Sequence, residues 1–292
     1  MRPCQGRDRE FESRRDRSIL LEYSRRFFIH AFNLPLPFWL GNIWYSKFSC
    51  VHYTAILRIT TGRLDLAKSF LRRFTRQIFS GKLFFLLIAA DITFILLHLI
   101  YKFTPLLPDT LFSLTRDGSY SEYFQYLKEL GVVVLLLNLA ARQRRLLFAS
   151  YAGLFLYFFA DDFFQIHERA GESLANYIQL PAALGLRAQD FGELAVFGFF
   201  GFIFVLLIGL THFLSDPHTR LFSRQLLLLV ILLAVFGILF DMLEIGSTHP
   251  VMGSILGILD DGGEMIVMSL ITVFVANAAR QHSGPDTGSA VD

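Results

Sequence analysis

The sequence predicts an all-α integral membrane protein: a six-transmembrane-helix bundle, N-in/C-in. Three observations predict it. Of its 292 residues, 53% are hydrophobic and 32 are Phe, against about 45–50% apolar in soluble domains by a wider count. The apolar residues gather into six runs of about 20, the length a helix needs to cross a bilayer core of about 30 Å. Basic residues cluster in alternate loops between those runs, the pattern that sets orientation.

The first run, Leu83–Phe103, is broken only by Asp91 near its middle and by His98 two turns further out. The second, about Tyr123–Ala141, is the weakest, because Lys128 and Glu129 lie in its first turns. Leu146–Phe164 follows, then Phe191–Leu214, Gln225–Ile245 and about Leu259–Ala279. Gly198, Gly201 and Gly237 suit membrane helices, where small residues let neighbours approach closely.

Arg72, Arg73, Arg76 and Lys82 precede the first run. Arg142, Arg144 and Arg145 separate the second from the third, Arg220 and Arg224 the fourth from the fifth, and Arg280 follows the sixth. Six crossings put all four clusters on one face, which the positive-inside rule makes cytoplasmic. The expected location is the cytoplasmic (plasma) membrane, the inner one in a cell with two, with multiple passes. Thr104–Ser119, Arg169–Gln189 and Gly246–Gly257 are then outer loops. The lipid bilayer is the expected partner, not nucleic acid, and no oligomeric state follows.

Residues 64–280 form the membrane domain. Residues 281–292, rich in Gly, Ser, Pro and Asp, read as a disordered cytoplasmic tail. Residues 1–63 are a basic N-terminal extension without clean periodicity. Arg-Glu-Phe-Glu-Ser-Arg within it can be encoded by a string containing GTTCGAGTC, which resembles the T-arm of a transfer RNA gene. The extension therefore reads either as translation begun upstream of the true start, with Leu64 as a candidate start, or as a disordered basic tail. No apolar core with a small-residue cleavage site follows the charges, so it is not a signal peptide. Both cysteines, Cys4 and Cys50, lie in this extension, which excludes disulfide, CxxC and cysteine–zinc chemistry from the membrane domain.

The ionisable residues of the runs concentrate in the outer half. The stretch Phe158–Glu172 holds Asp161, Asp162, His167 and Glu168 among phenylalanines. Glu122 and Glu129 enter with the second run, Asp190 and Glu193 with the fourth, and Asp260, Asp261 and Glu264 with the sixth. Asp241, Glu244 and His249 leave with the fifth. Residues three, four or seven apart share a helix face. That aligns Asp161 with Gln165 and Glu168, Asp91 with His98, Asp241 with Glu244, and Gln125 with Glu129. Asp190 and Asp260 also have a plainer reading as helix N-caps, favoured by the helix dipole, and Ser119 with Glu122 as a capping box. That reading fails for Asp161, Asp162, Asp241 and Glu244, which sit at the opposite dipole end. Asp91 near the bilayer centre costs at least about 2.5–3.5 kcal/mol, and such residues are functional candidates by default. Lys128, next to Glu129, is expected to point elsewhere.

The acids outnumber nearby bases, so either shared protons or a divalent cation must neutralise them. Carboxylates with a few imidazoles and no thiol suit Mn, Fe or Zn. The expected metal ligands are Asp161, Glu168, Asp241, Glu244, Asp261 and Glu264, with His167 or Glu168 as general base. Asp91, His98, Glu129, Asp162, Glu193 and His249 are expected to support the site or form an ion path, with Asp162 orienting a histidine. Three functions fit: a divalent-metal-dependent membrane enzyme acting on a lipid or envelope substrate, a proton- or metal-ion-coupled transporter, and a non-catalytic protein whose polar cluster fixes helix packing.

Overall fold

The structure is a computed structural model, and it describes residues 72, 74, 75, 78, 79, 81–183 and 185–281. The expectations for residues 1–63 and for the tail beyond 281 lie outside them. The described residues are helical, with no strand beyond one isolated bridge between Ala183 and Leu186. Six helices are long and apolar enough to cross a membrane, as a multi-pass membrane protein requires.

Helix α1 is Lys82–Phe103. Its only buried residues are Leu87, Asp91 and His98, spaced four and seven apart, so one narrow stripe faces the other helices. Phe85, Leu86, Ile92 and Leu96 project outward. Helix α2, Tyr120–Gln143, starts at Ser119, whose hydroxyl accepts the Glu122 N–H at 3.3 Å. The Glu122 carboxylate accepts from the Gly118 N–H and from the Tyr126 hydroxyl, so this start resembles the expected capping box, with the glutamate reaching one residue further back. Arg144, in the left-handed region at φ 51°, ends it.

Helix α3, Leu146–Phe164, stops where Gln165 turns left-handed at φ 52°. A separate helix α4, Ile166–Ile178, follows at once, where the sequence reading expected an extended outer loop. Helix α5, Ala188–Phe213, opens with the Arg187 N–H donating to the Asp190 carboxylate at 2.6 Å. Asp190 thus serves the helix start from the N3 position, with Arg187 at the N-cap, and not as the N-cap that the sequence reading offered. Helix α6 spans Pro217–Ile245, with Asp216 as N-cap and Pro217 in its first turn. Val235–Phe240 within it is a π-helical segment.

Helix α7, Pro250–Gln281, begins nine residues before the expected Leu259. Its 32 residues rise about 48 Å, well beyond the bilayer core. Asp260 therefore sits three turns inside the helix, and its reading as an N-cap is wrong. This helix is the hub: α1, α2 and α6 all pack on it. Towards its C-terminal end its Met268, Ile271 and Phe274 meet Leu136 and Leu139 of α2 and Leu226 and Leu229 of α6, with Phe148, Tyr151 and Phe155 of α3 in the same cluster. The Tyr151 hydroxyl donates to the Ser223 carbonyl at 2.9 Å, which satisfies one polar group in this apolar plug.

Candidate functional site

The apolar plug fills only one half of the bundle. Around Glu264 the helices part and enclose a chamber of about 760 Å³. Its walls come from the loop Leu114–Asp117, the N-terminal turns of α2, the end of α3, the starts of α4 and α5, the last third of α6, and α7. Ten carboxylates line it against two guanidiniums, Arg116 and Arg187, and one imidazole, His167. Arg187 is already engaged, donating to Asp190 at 2.6 Å.

The break at Gln165 creates the most organised part of the site. Because α3 ends there, α4 starts with free backbone N–H groups. Buried Asp161 takes one, accepting the His167 N–H at 2.9 Å. Its other oxygen lies 2.8 Å from His167 Nδ1. That contact fixes the ring and leaves Nε2 as its free nitrogen. The ring also stacks on Phe197 of α5, centroid to centroid 4.4 Å. Burial alone would lower the His167 pKa, but the Asp161 hydrogen bond and charge, with Glu168 and Glu193, raise it above its ordinary value. Burial and the Asp117 charge raise Glu168 likewise.

The histidine-orienting role assigned from sequence to Asp162 belongs to Asp161. Asp161 was expected to share a helix face with Gln165 and Glu168 and to bind metal, while Asp162 oriented a histidine. The left-handed turn breaks that face. Asp161 holds His167 and does not line the chamber, whereas Asp162 does. Asp162 also lies within hydrogen-bonding reach of Glu129 on α2.

Helix α4 is fixed by backbone contact with α5. A Cβ at Gly171 would fall 2.6 Å from the Glu193 nitrogen, and one at Gly192 would overlap the Gly171 carbonyl. Only glycines allow this approach, and it lays Glu193 of α5 against α4, the helix that carries Glu168. Gln189 steadies Glu193 with a 2.8 Å hydrogen bond.

The opposite wall carries Asp241 and Glu244 of α6 and Asp260, Asp261 and Glu264 of α7. Here too glycines make room. A Cβ at Gly237, inside the π segment, would overlap the Glu264 carboxylate, and one at Gly257 would lie 2.6 Å from Glu244. The extra residue of a π segment shifts the helix face that follows it, and Asp241 is the first residue after it.

Below the floor the expectation for Lys128 is overturned. Its ammonium is buried, 3.2 Å from Asp91, and it donates to the Met265 carbonyl at 2.6 Å and the Ser269 hydroxyl at 3.3 Å. Asp91 is thus one half of a buried ion pair. Its helix-mate His98 is turned away, its Nδ1 accepting the Leu114 N–H at 2.9 Å, and it lines no chamber wall. Exposed His249 lies outside as well.

Of the six expected metal ligands, Glu168, Asp241, Glu244, Asp261 and Glu264 share the chamber with Asp162 and Glu193, and Asp161 stands behind. As the side chains stand, no three His, Cys, Asp or Glu groups among the described residues converge closely enough to hold a metal ion. The sequence reading missed Lys128 as an inward-facing group. The signal was available: Gln125, Lys128, Glu129, Val132, Leu136 and Leu139 follow one helical stripe. It also missed Gly171 and Gly192, which no periodicity marks.

A model of a domain of unknown function, DUF8692, matches residues 120–278. That is more than half of the chain, and the chain belongs to this family. The match runs from the first residue of α2 almost to the end of α7, so it takes in every chamber wall except the loop at Leu114–Asp117. No curated protein and no solved structure matches.

Proposed function

We propose that this DUF8692 protein is a multi-pass enzyme of the cytoplasmic membrane, with both termini inside and residues 64–280 as its membrane domain, acting on a lipid or envelope substrate in the outer-side chamber. The observation that carries this reading is the Asp161–His167 pair. A histidine whose Nδ1 is held by a buried carboxylate, with its second nitrogen free, is arranged as a general base or a ligand. His167 would take the proton of water or of a substrate hydroxyl at Nε2. Asp161 keeps the ring oriented and stabilises the imidazolium that forms. Glu168 stands one residue further along α4 as the second candidate base.

The chamber is closed below by the apolar plug, so reactants enter and leave on one side. That suits a reaction vessel better than a conduit. The surplus of carboxylates would draw in a divalent cation, Mn, Fe or Zn, held among Asp241, Glu244, Asp261, Glu264 and Glu168. Such an ion, when bound, polarises an oxygen of the substrate or lowers the pKa of water. No protein ligand set is closed in advance, so substrate oxygens or water would complete the coordination.

The test has two parts. Purified protein is dialysed against a weak chelator and its metal content measured by mass spectrometry. Lipid and envelope-precursor profiles are then compared between cells carrying wild type and cells carrying His167→Ala. Stoichiometric metal together with a species that accumulates only in the variant is the expected result. A metal-free wild type, or identical profiles, would remove the enzyme reading.

One observation favours a second reading, an ion-coupled transporter: the Lys128–Asp91 pair lies directly beyond the chamber floor, where a proton or cation path would continue. Flux in proteoliposomes separates the two.

A further inference from the structure

The chamber is not closed all round. Along the chamber α5 packs closely against α3 and α4, but it is at most lightly packed against the π segment of α6 or the turn Asp241–Ile245 that follows. Above this seam the rim is bridged. Gly185 of the loop before α5 meets Gly246, and Gln165 donates to Asp117 across the other side at 2.9 Å.

The α5 edge of the seam is built of glycine. Counting about 100° per residue from Phe197, which lines the chamber, Gly201 lies at about 40° and Gly198 at about 100°. Both lie on the side away from Phe200, which stacks on Tyr157 of α3. A Cβ at either glycine would have nothing within 4 Å. Outside the seam the surface is apolar, with Phe202 63% and Leu239 52% exposed. The seam therefore joins an apolar exterior to an acidic interior.

Inside, two polar atoms lack partners. Gln125 Oε1 and Asp260 Oδ1 accept no hydrogen bond, although both residues line the chamber and are nine-tenths buried. Both atoms are acceptors, so what they lack is donors. A protonated amine brings three N–H donors, no acceptor and a positive charge. A single divalent ion and the two arginines would still leave carboxylates in excess.

We propose that the seam between α5 and the outer third of α6 is a lateral portal, through which a membrane lipid with a protonated amine in its head group places that head in the chamber while its chains stay in the bilayer. This deepens the enzyme reading by naming the substrate class. Gly198 and Gly201 make the slot for the chain next to the head. Gln125 and Asp260 receive the ammonium.

The test uses the full-length protein in bilayer nanodiscs. Two photo-crosslinking lipids share identical diazirine-bearing chains, one with a phosphoethanolamine head and one with a bare phosphate head. Crosslinks are mapped by mass spectrometry, with and without chelator. The ethanolamine probe is expected to label the α5 and α6 edges at least about tenfold more than the phosphate probe, the ratio set by roughly one charge-assisted hydrogen bond. Gly201→Trp fills the slot and should remove that labelling. Asp260→Asn should remove the preference for the amine while chain labelling persists. Thermal melting of each variant confirms that it is folded. Equal labelling by the two probes, labelling unchanged by Gly201→Trp, or a preference that disappears with chelator would each overturn the proposal. The metal measurement above is independent, so either idea can fail alone.

Discussion

Asp161 binds His167 twice, through the backbone N–H at 2.9 Å and through Nδ1 at 2.8 Å. One buried carboxylate thus caps a helix start and orients the imidazole on its first turn. The two jobs are linked, because the left-handed Gln165 between the residues is what brings them together.

The raised pKa of His167 sets the sign of two pH effects. Folding favours the protonated ring, so its contribution to stability is complete below the unfolded value of about 6.5 and is lost as pH rises through the folded value. In the proposed enzyme, general-base action needs the neutral ring and runs the other way, with activity expected to rise through the folded pKa. Asp161→Asn removes the charge that raises it, so the acid limb of the rate profile should move to lower pH while the rate falls by about 10–100-fold. A pH–rate profile of wild type and variant checks this. An unmoved limb would mean that another group titrates.

The Lys128–Asp91 pair should dominate stability below the chamber. Removing one partner of a buried pair strands the other charge, at a cost of about 3–5 kcal/mol, whereas replacing both with apolar groups is often neutral. Lys128→Met and Asp91→Leu should each lower the melting temperature in detergent sharply, and the double variant should recover most of the loss. Additive losses would show that the two residues act separately.

The six long helices were legible because each supplies about 20 apolar residues, a signal that needs no tertiary information. The break in Phe158–Glu172 was not, because Gln165 is neither Gly nor Pro and nothing local marks a left-handed turn there. With the break unseen, Asp161 was placed on the wrong face and α4 was read as loop. The early start of α7 was hidden by Gly253, Gly257 and the acids, which dilute its apolar signal. Lys128 was misplaced for a different reason. Adjacency to Glu129 was taken to send it elsewhere, although residues 100° apart can both face the interior of a crowded bundle.

Orientation has its own test. With Cys4 and Cys50 changed to serine, Ser173→Cys on exposed α4 should react with an impermeant thiol reagent in intact cells, and His218→Cys at the start of α6 should not. The buried Ser215, whose hydroxyl donates to the Thr211 carbonyl at 2.7 Å, is unsuited to labelling. The reverse pattern would put the chamber on the cytoplasmic side.

The π segment supplies the last prediction. Val235–Phe240 carries one residue more per turn than an α-helix needs, and it ends at Asp241. Deleting Ile238 should let α6 close into a regular helix, since the i→i−4 ladder is the better bonded form. The deletion removes the extra residue and the wide turn that absorbs it together, so the residues beyond keep their facing relative to the part before. Asp241 and Glu244 should stay on the chamber wall. Helix content and thermal stability should be maintained or rise, because the poorer-bonded turn is gone and the apolar plug is untouched. Binding of Mn²⁺, measured by calorimetry, should be kept by the deletion variant and should fall by at least about tenfold in the double variant Asp241→Asn/Glu244→Gln, the loss expected when ligand groups are removed. A folded deletion variant that no longer binds Mn²⁺ would show that the wide turn itself places the acids. A double variant that binds Mn²⁺ as wild type does would show that the acids of α6 take no part in cation binding, leaving that role to α4 and α7 alone.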